Sequence, residues 1–228
     1  APEARAEGRQ ALIVFGATGG ATYAKTWASW QATLVSALGD RLGFPPDHIT
    51  VLTADAAEPS MRSTAAGVRA AFERLRSRSG KDDLVFVMLV GHGTADAESA
   101  RFNLVGPDLD VAEWGAMVDR LPGRLVFVNA AGASFPFLEQ LSRRSRIVIS
   151  ATDAAAQRFD TTFPERFIEA LADPAVRAAT TAALLLSCLF FVADWHALTT
   201  HYDDPGVIER STWDMLVDWL AAGVDPSQ

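Results

Sequence analysis

His92 stands in the run VFVMLVGHGT (residues 85–94), directly after a fully apolar stretch and between two glycines. A histidine so placed is lifted to the rim of the sheet its strand joins, with backbone on either side able to approach a ligand closely. Near neutral pH its imidazole can take a proton from a nucleophile, and the N–H of Gly93 can help to bind an oxyanion. The plainer alternative is a ring that only satisfies local backbone groups. A second apolar run, RLVFVNAAGAS (residues 124–134), ends at Ala131, where a nucleophile facing His92 would belong and where the side chain has no reactive atom. The next hydroxyl, Ser134, falls at the start of a short helix and reads first as a cap. A third candidate is GATGG (residues 16–20), a glycine-rich turn that could cradle a pyrophosphate on backbone N–H groups, with Asp55 placed to hold a ribose hydroxyl. Against it, no glycine stands near Thr22, and clear helical period begins only near Thr26.

The remaining chemistry-bearing residues carry less. Cys188 lies within LLLSCLFF and reads as a buried structural thiol. His48 precedes a strand. His196 and His201 are five apart, on different faces of a helix, and only with Asp203 and Asp204 would they make a metal site; a solvated turn is the favoured reading. One cysteine permits neither an intrachain disulfide nor a cysteine zinc cage. No cofactor and no metal is expected.

Five short runs rich in β-branched residues must position these groups: residues 11–17, 48–54, 83–91, 124–131 and 145–152. Their continuous apolar character is that of strands buried on both faces, as in a parallel sheet. Between them, Trp27, Trp30, Leu34, Leu38 and Leu42 recur at helical spacing, as do Val68, Phe72 and Leu75. Asp110 is a candidate N-cap for a helix over 111–121, residues 135–141 suit one or two turns, and 101–106 suit a small hairpin strand. Helices are expected over 164–172, around 178–195 and over 211–222. Right-handed crossovers then give an α/β, doubly wound, mainly parallel sheet with helices on both faces and its sites beyond the C-terminal strand ends.

The chain has 228 residues, 49% of them apolar and 21% charged, which suits a single domain over 1–228 with 1–10 as a flexible N-terminal lead. A net charge of −8 gives no electrostatic footprint for nucleic acid. The longest apolar run, 182–193, falls short of the roughly 20 residues a bilayer crossing needs, so no membrane insertion is expected. The start at Ala1 fits a trimmed chain or a mature form left by signal cleavage, so cytoplasmic and exported locations both stand.

The two strand ends together resemble the caspase-like fold and, within it, the legumain-like cysteine peptidases and their bacterial relatives. VFVMLVGHG resembles that fold's apolar strand ending in His-Gly, and LVFVNAA its apolar strand ending in Ala-Cys up to the final residue. RIVISATDAAAQRF (residues 146–159) is similar to the legumain-like strand that ends in Ala-Thr and opens a substrate-lining loop. The resemblance implies a dyad histidine at His92, an oxyanion glycine at Gly93, Ala131 in the place of the nucleophile, and Asn129, Thr152 and Asp153 on the substrate side. Asn129 replaces the glutamate of the legumain pocket. Residues 173–183 carry one acid, so the acidic calcium-like loop of some bacterial relatives has no counterpart. The function so implied is a peptidase homologue, non-catalytic as written, binding a peptide or protein ligand as a pseudoenzyme. Three alternatives stay open: an active peptidase carrying a Cys-to-Ala change, chemistry by Ser134 or Cys188, and a nucleotide-binding enzyme using the 16–20 loop.

Overall fold

The computed structural model describes residues 8–96, 99–144, 146–157 and 160–172. The sequence reading treats 1–228 as one domain; the chain groups into two units, Ala1–Thr181 and Ala182–Gln228, and every described residue belongs to the first. The helices expected around 178–195 and over 211–222 lie outside the described residues, as do Cys188, His196, His201, Asp203 and Asp204. Of the expected 1–10 lead, residues 1–7 also lie outside them, whereas Arg9 and Gln10 belong to the first strand and Gln10 is buried.

Five strands form one parallel sheet: β1 (Arg9–Phe15), β2 (Ile49–Leu52), β3 (Leu84–Val90), β7 (Arg124–Asn129) and β8 (Arg146–Ser150), in the order β2-β1-β3-β7-β8. Three short strands, β4 (Gly93–Ala95), β5 (Ala100–Phe102) and β6 (Leu109–Asp110), make a separate antiparallel sheet where a single hairpin strand was expected. The helices are α1 (Ala21–Ser36), α2 (Ala65–Arg78), α3 (Val111–Val118), α4 (Phe135–Leu141) and α5 (Phe163–Ala172). This is the α/β, doubly wound class.

Strand alternation explains the two layers. Leu12, Val14, Val85, Val87, Leu89, Leu125 and Phe127 share a core with α2, α3 and α4 through Val68, Phe72, Trp114, Val118, Phe137 and Leu141. The intervening residues face the other way: Phe15 meets Trp27 of α1 at 6.3 Å between ring centroids, and Phe86 meets Phe44 at the same separation. Because both faces are covered, all seven residues of β3 are buried, which is why its sequence shows no alternation.

The helix ends follow their caps. Asp110 and Glu113 form a reciprocal capping box: Glu113 N–H donates to Asp110 Oδ1 at 2.8 Å, and Asp110 N–H donates to Glu113 Oε2 at 3.1 Å. Helix α3 stops at Val118, short of 121, and the chain turns through Gly123 at φ 86°. The larger difference is α1, which begins at Ala21 rather than near Thr26. Its first turn stands at the rim of the sheet, beyond the core, so no apolar stripe marks it in the sequence.

Candidate functional site

In a 2-1-3 strand order the connections leave β1 toward β2 on one side and toward β3 on the other. A crevice therefore opens between the C-terminal ends of β1 and β3, and such crevices are where open α/β sheets bind ligands. The 16–20 loop and His92 meet there. Gly16 N–H donates to Val90 O at 3.0 Å and Ala17 N–H to Asn103 O at 3.0 Å, which ties the loop's first half down. Gly16 has to be glycine: a Cβ would lie 2.4 Å from Asn103 O.

The second half of the loop is open. Among the described residues no hydrogen bond takes the N–H groups of Thr18, Gly19 or Gly20. Ala21, Thr22 and Tyr23 open α1, where N–H groups have no partner inside the helix. Gly20 is the N-cap and supplies no side-chain cap, and the first turn holds no acidic residue. Gly19, at φ +69°, lets His92 lie close, its Nε2 3.4 Å from where a Cβ would be; above Gly20 a Cβ would meet nothing within 4 Å. The late helix start that weighed against this loop in the sequence is therefore absent, and the glycine turn runs straight into a four-turn helix.

His92 turns toward this loop. Its Nδ1 lies 3.1 Å from Asp160 Oδ1, so the nitrogen donates to the carboxylate, and its Nε2 lies 3.4 Å from the carbonyl oxygen of Thr18. Tyr23 packs edge-on against the imidazole with centroids 4.7 Å apart, and Trp27 lies tilted at 5.4 Å. The Tyr23 hydroxyl donates to the other oxygen of Asp160. That hydrogen bond, and next the charge of the carboxylate, hold the phenol above its ordinary value of 10.0. Of these, Tyr23 and Asp160 are not marked by the sequence, Trp27 is marked there only by its helical spacing, and Thr18 only as part of the 16–20 loop. Asp160 is 68 positions from His92, in the connection between β8 and α5, and no local pattern links the two.

Several of the other expected site residues are buried or hydrogen-bonded within the fold. Ala131 is buried, and its N–H donates to Asn129 Oδ1 at 3.1 Å, so it is not free to hold an oxyanion. Asn129 is buried in turn. Gly93 opens β4, and a Cβ there would stand 2.1 Å from Gly132 O. Thr152 Oγ1 accepts from Ser134 N–H (2.9 Å) and Phe135 N–H (3.1 Å), capping α4 from a neighbouring strand end. Ser134 Oγ accepts from Ala151 N–H (2.9 Å) and Thr152 N–H (3.1 Å) in exchange, and the side chain is fully buried. Asp153 is exposed, its N–H donating to Gln157 Oε1 at 3.1 Å. Asp55 is exposed beyond β2 and accepts from the Thr53 hydroxyl at 2.9 Å. His48 lies at the opposite end of the sheet, its Nδ1 3.0 Å from Arg9 O. Among the described residues, no helix is long and apolar enough to cross a membrane, and no three His, Cys, Asp or Glu cluster as metal ligands would.

No family model matches the chain. Over 41 residues, 18% of its length, it is 78% identical to a tryptophan–tRNA ligase of Ralstonia nicotianae. Over 41 residues it is 54% identical to the tryptophan–tRNA ligase of Thermotoga maritima, and over 55 residues 42% identical to that of Bordetella pertussis. The chain spans 10 to 12% of the length of these relatives. A solved protein of Geobacter sulfurreducens aligns with 70% of this chain and 63% of its own, at 18% identity and a TM-score of 0.40. The expected function, a caspase- or legumain-like cysteine peptidase homologue or pseudoenzyme, is corrected by these relatives, which are named for joining tryptophan to tRNA. The geometry gives the physical reason: the imidazole that would serve as base points its nitrogens at Asp160 and Thr18, and the N–H at position 131 is already committed.

Proposed function

We propose that the α/β unit binds a nucleotide, with the phosphates seated on the 16–20 loop and the start of α1. The observation that carries this is the run of backbone N–H groups from Thr18 to Tyr23 without partners among the described residues, placed at the β1/β3 switch point of the sheet. Oriented N–H groups at a helix N-terminus attract anions through direct hydrogen bonds and through the partial positive charge of the helix end. The relatives' name adds support of a broader kind, since tRNA is itself built of nucleotides. The net charge of −8 favours a small ligand held by local dipoles over a long polynucleotide held by a basic surface.

Titration calorimetry of the full chain with inorganic pyrophosphate and with adenosine diphosphate tests the reading. Saturable binding of both is expected, with Trp27 emission changing in step because its ring lies against His92 and Tyr23. Heats that do not saturate with either ligand would overturn it.

A further inference from the structure

The phosphate cradle accounts for one end of a nucleotide, and the residues beside it suggest what takes the other. Tyr23 sits in the first turn of α1, at the edge of the open N–H groups. Among the described residues it is the large apolar side chain left exposed, at 37% of its surface. A phenol ring on a helix surface normally samples several rotamers, yet this one is fixed from three directions. Its hydroxyl is tied to Asp160, His92 packs against it at 4.7 Å, and Trp27 of the following turn lies at 5.9 Å. Trp27 is itself buried, so the backing is part of the core. A ring held rigid in this way presents a flat apolar surface at little further cost in entropy, and that is what stacking on a planar base requires.

Resting on the nucleotide reading above, we infer that Tyr23 is the stacking platform for the ligand's aromatic base, so that the site selects nucleotides over phosphates that lack a base. Asp160 acts as a positioning residue, holding the ring through its hydroxyl and holding His92 behind it. The selectivity comes from the π-face and so should extend across purine bases.

The test compares inorganic pyrophosphate with adenosine diphosphate by calorimetry on wild type, Tyr23→Leu and Tyr23→Phe. Base stacking on an aromatic side chain corresponds to about fivefold to a hundredfold in affinity. Wild type is expected to bind the nucleotide at least about fivefold more tightly than pyrophosphate. Tyr23→Leu should erase that preference while still binding pyrophosphate, and Tyr23→Phe should keep it to within about threefold. Equal affinities in wild type, or a preference that survives Tyr23→Leu, overturn the platform and leave the cradle standing. Binding of neither ligand overturns both. Should Tyr23→Leu fail to fold, the ring protons of Tyr23 decide: with Tyr23 and Tyr202 the only tyrosines, their resonances are assigned by loss in Tyr23→Phe. Adenosine diphosphate should shift them through the ring current of the base where pyrophosphate does not, and equal shifts overturn the platform.

Discussion

Replacing Gly20 by Asp separates the stability of α1 from the binding attributed to its N-terminus. Gly20 is the N-cap, in extended backbone that any residue adopts, and a Cβ there meets nothing within 4 Å. The substitution therefore carries no steric cost. An aspartate at this position can accept from the N–H groups of Thr22 or Tyr23, which the helix leaves open, and puts a negative charge where the helix dipole favours one. Capping by Asp exceeds capping by Gly by a few tenths of a kcal/mol, and the charge adds about 0.3–1 kcal/mol. The sum is about 0.5–1.4 kcal/mol of added stability, or about 1–6 °C in melting temperature for a unit of this size. The effect on an anionic ligand has the opposite sign. Two unit charges about 4 Å apart repel by about 4 kcal/mol at an effective dielectric of 20, and a quarter of that surviving solvent screening already weakens binding by about fivefold. Loss of the N–H donors to the new carboxylate brings the expected weakening to at least about tenfold. Thermal unfolding followed by near-ultraviolet dichroism, and calorimetry with pyrophosphate, give the two readouts. A variant that is more stable and still binds pyrophosphate like wild type would refute the assignment of the anion to these N–H groups.

Three further outcomes follow from the same geometry. Asp160→Asn removes the charge that opposes the phenolate of Tyr23, so the tyrosine should titrate closer to 10.0, as read by absorbance at high pH. Because the folded value is raised, the stabilisation from this hydrogen bond is complete below the unfolded value of 10.0 and is lost as pH rises through the folded one; a wild-type phenol titrating at 10.0 would remove the basis for that order. Thr152→Val keeps shape but leaves two N–H groups at the start of α4 without an acceptor, for a loss of about 2–4 kcal/mol in denaturant unfolding with pyrophosphate binding unchanged. Trp114 is fully buried among Phe72, Phe102, Phe127 and Phe137, and its indole N–H has no partner among the described residues. Trp114→Ala should cost about 3–5 kcal/mol, and Trp114→Phe markedly less because both remove the unpaired donor but Phe leaves the smaller cavity; equal losses would mean that cavity size does not set the cost.

The sheet was legible because its strands are buried on both faces, and such strands write themselves as unbroken apolar runs such as LVFVMLV. The cap of α3 was legible because Asp110 and Glu113 sit three apart and need only each other. The start of α1 was not, since its first turn packs against a rim of aromatic and polar groups and has no core stripe to set its period. The site was half legible. His92 and the 16–20 loop are marked by glycines at strand ends, a local signal, whereas Asp160 reaches them from 68 positions beyond His92 in the connection before α5. Thr152 shows the converse: its place after a strand suggested contact with a ligand, and its oxygen is spent on the N-terminus of α4.

What separates the two readings of His92 is therefore the identity of its neighbours rather than its place on the strand. A histidine at the end of β3 can face either β7 or β1, since both strands flank β3 in the sheet. Facing β7 it would address Ala131, whose methyl group offers nothing to activate and whose N–H is bonded to Asn129. Facing β1 it finds Thr18, Asp160 and the ring of Tyr23, and every polar contact it makes there also fixes a wall of the glycine cradle. Removing the imidazole while keeping bulk, as in His92→Leu, should then loosen Tyr23 and weaken adenosine diphosphate more than pyrophosphate, by about threefold or more. If His92 were only a structural plug, both ligands would weaken alike and the Tyr23 phenol would still titrate above 10.0.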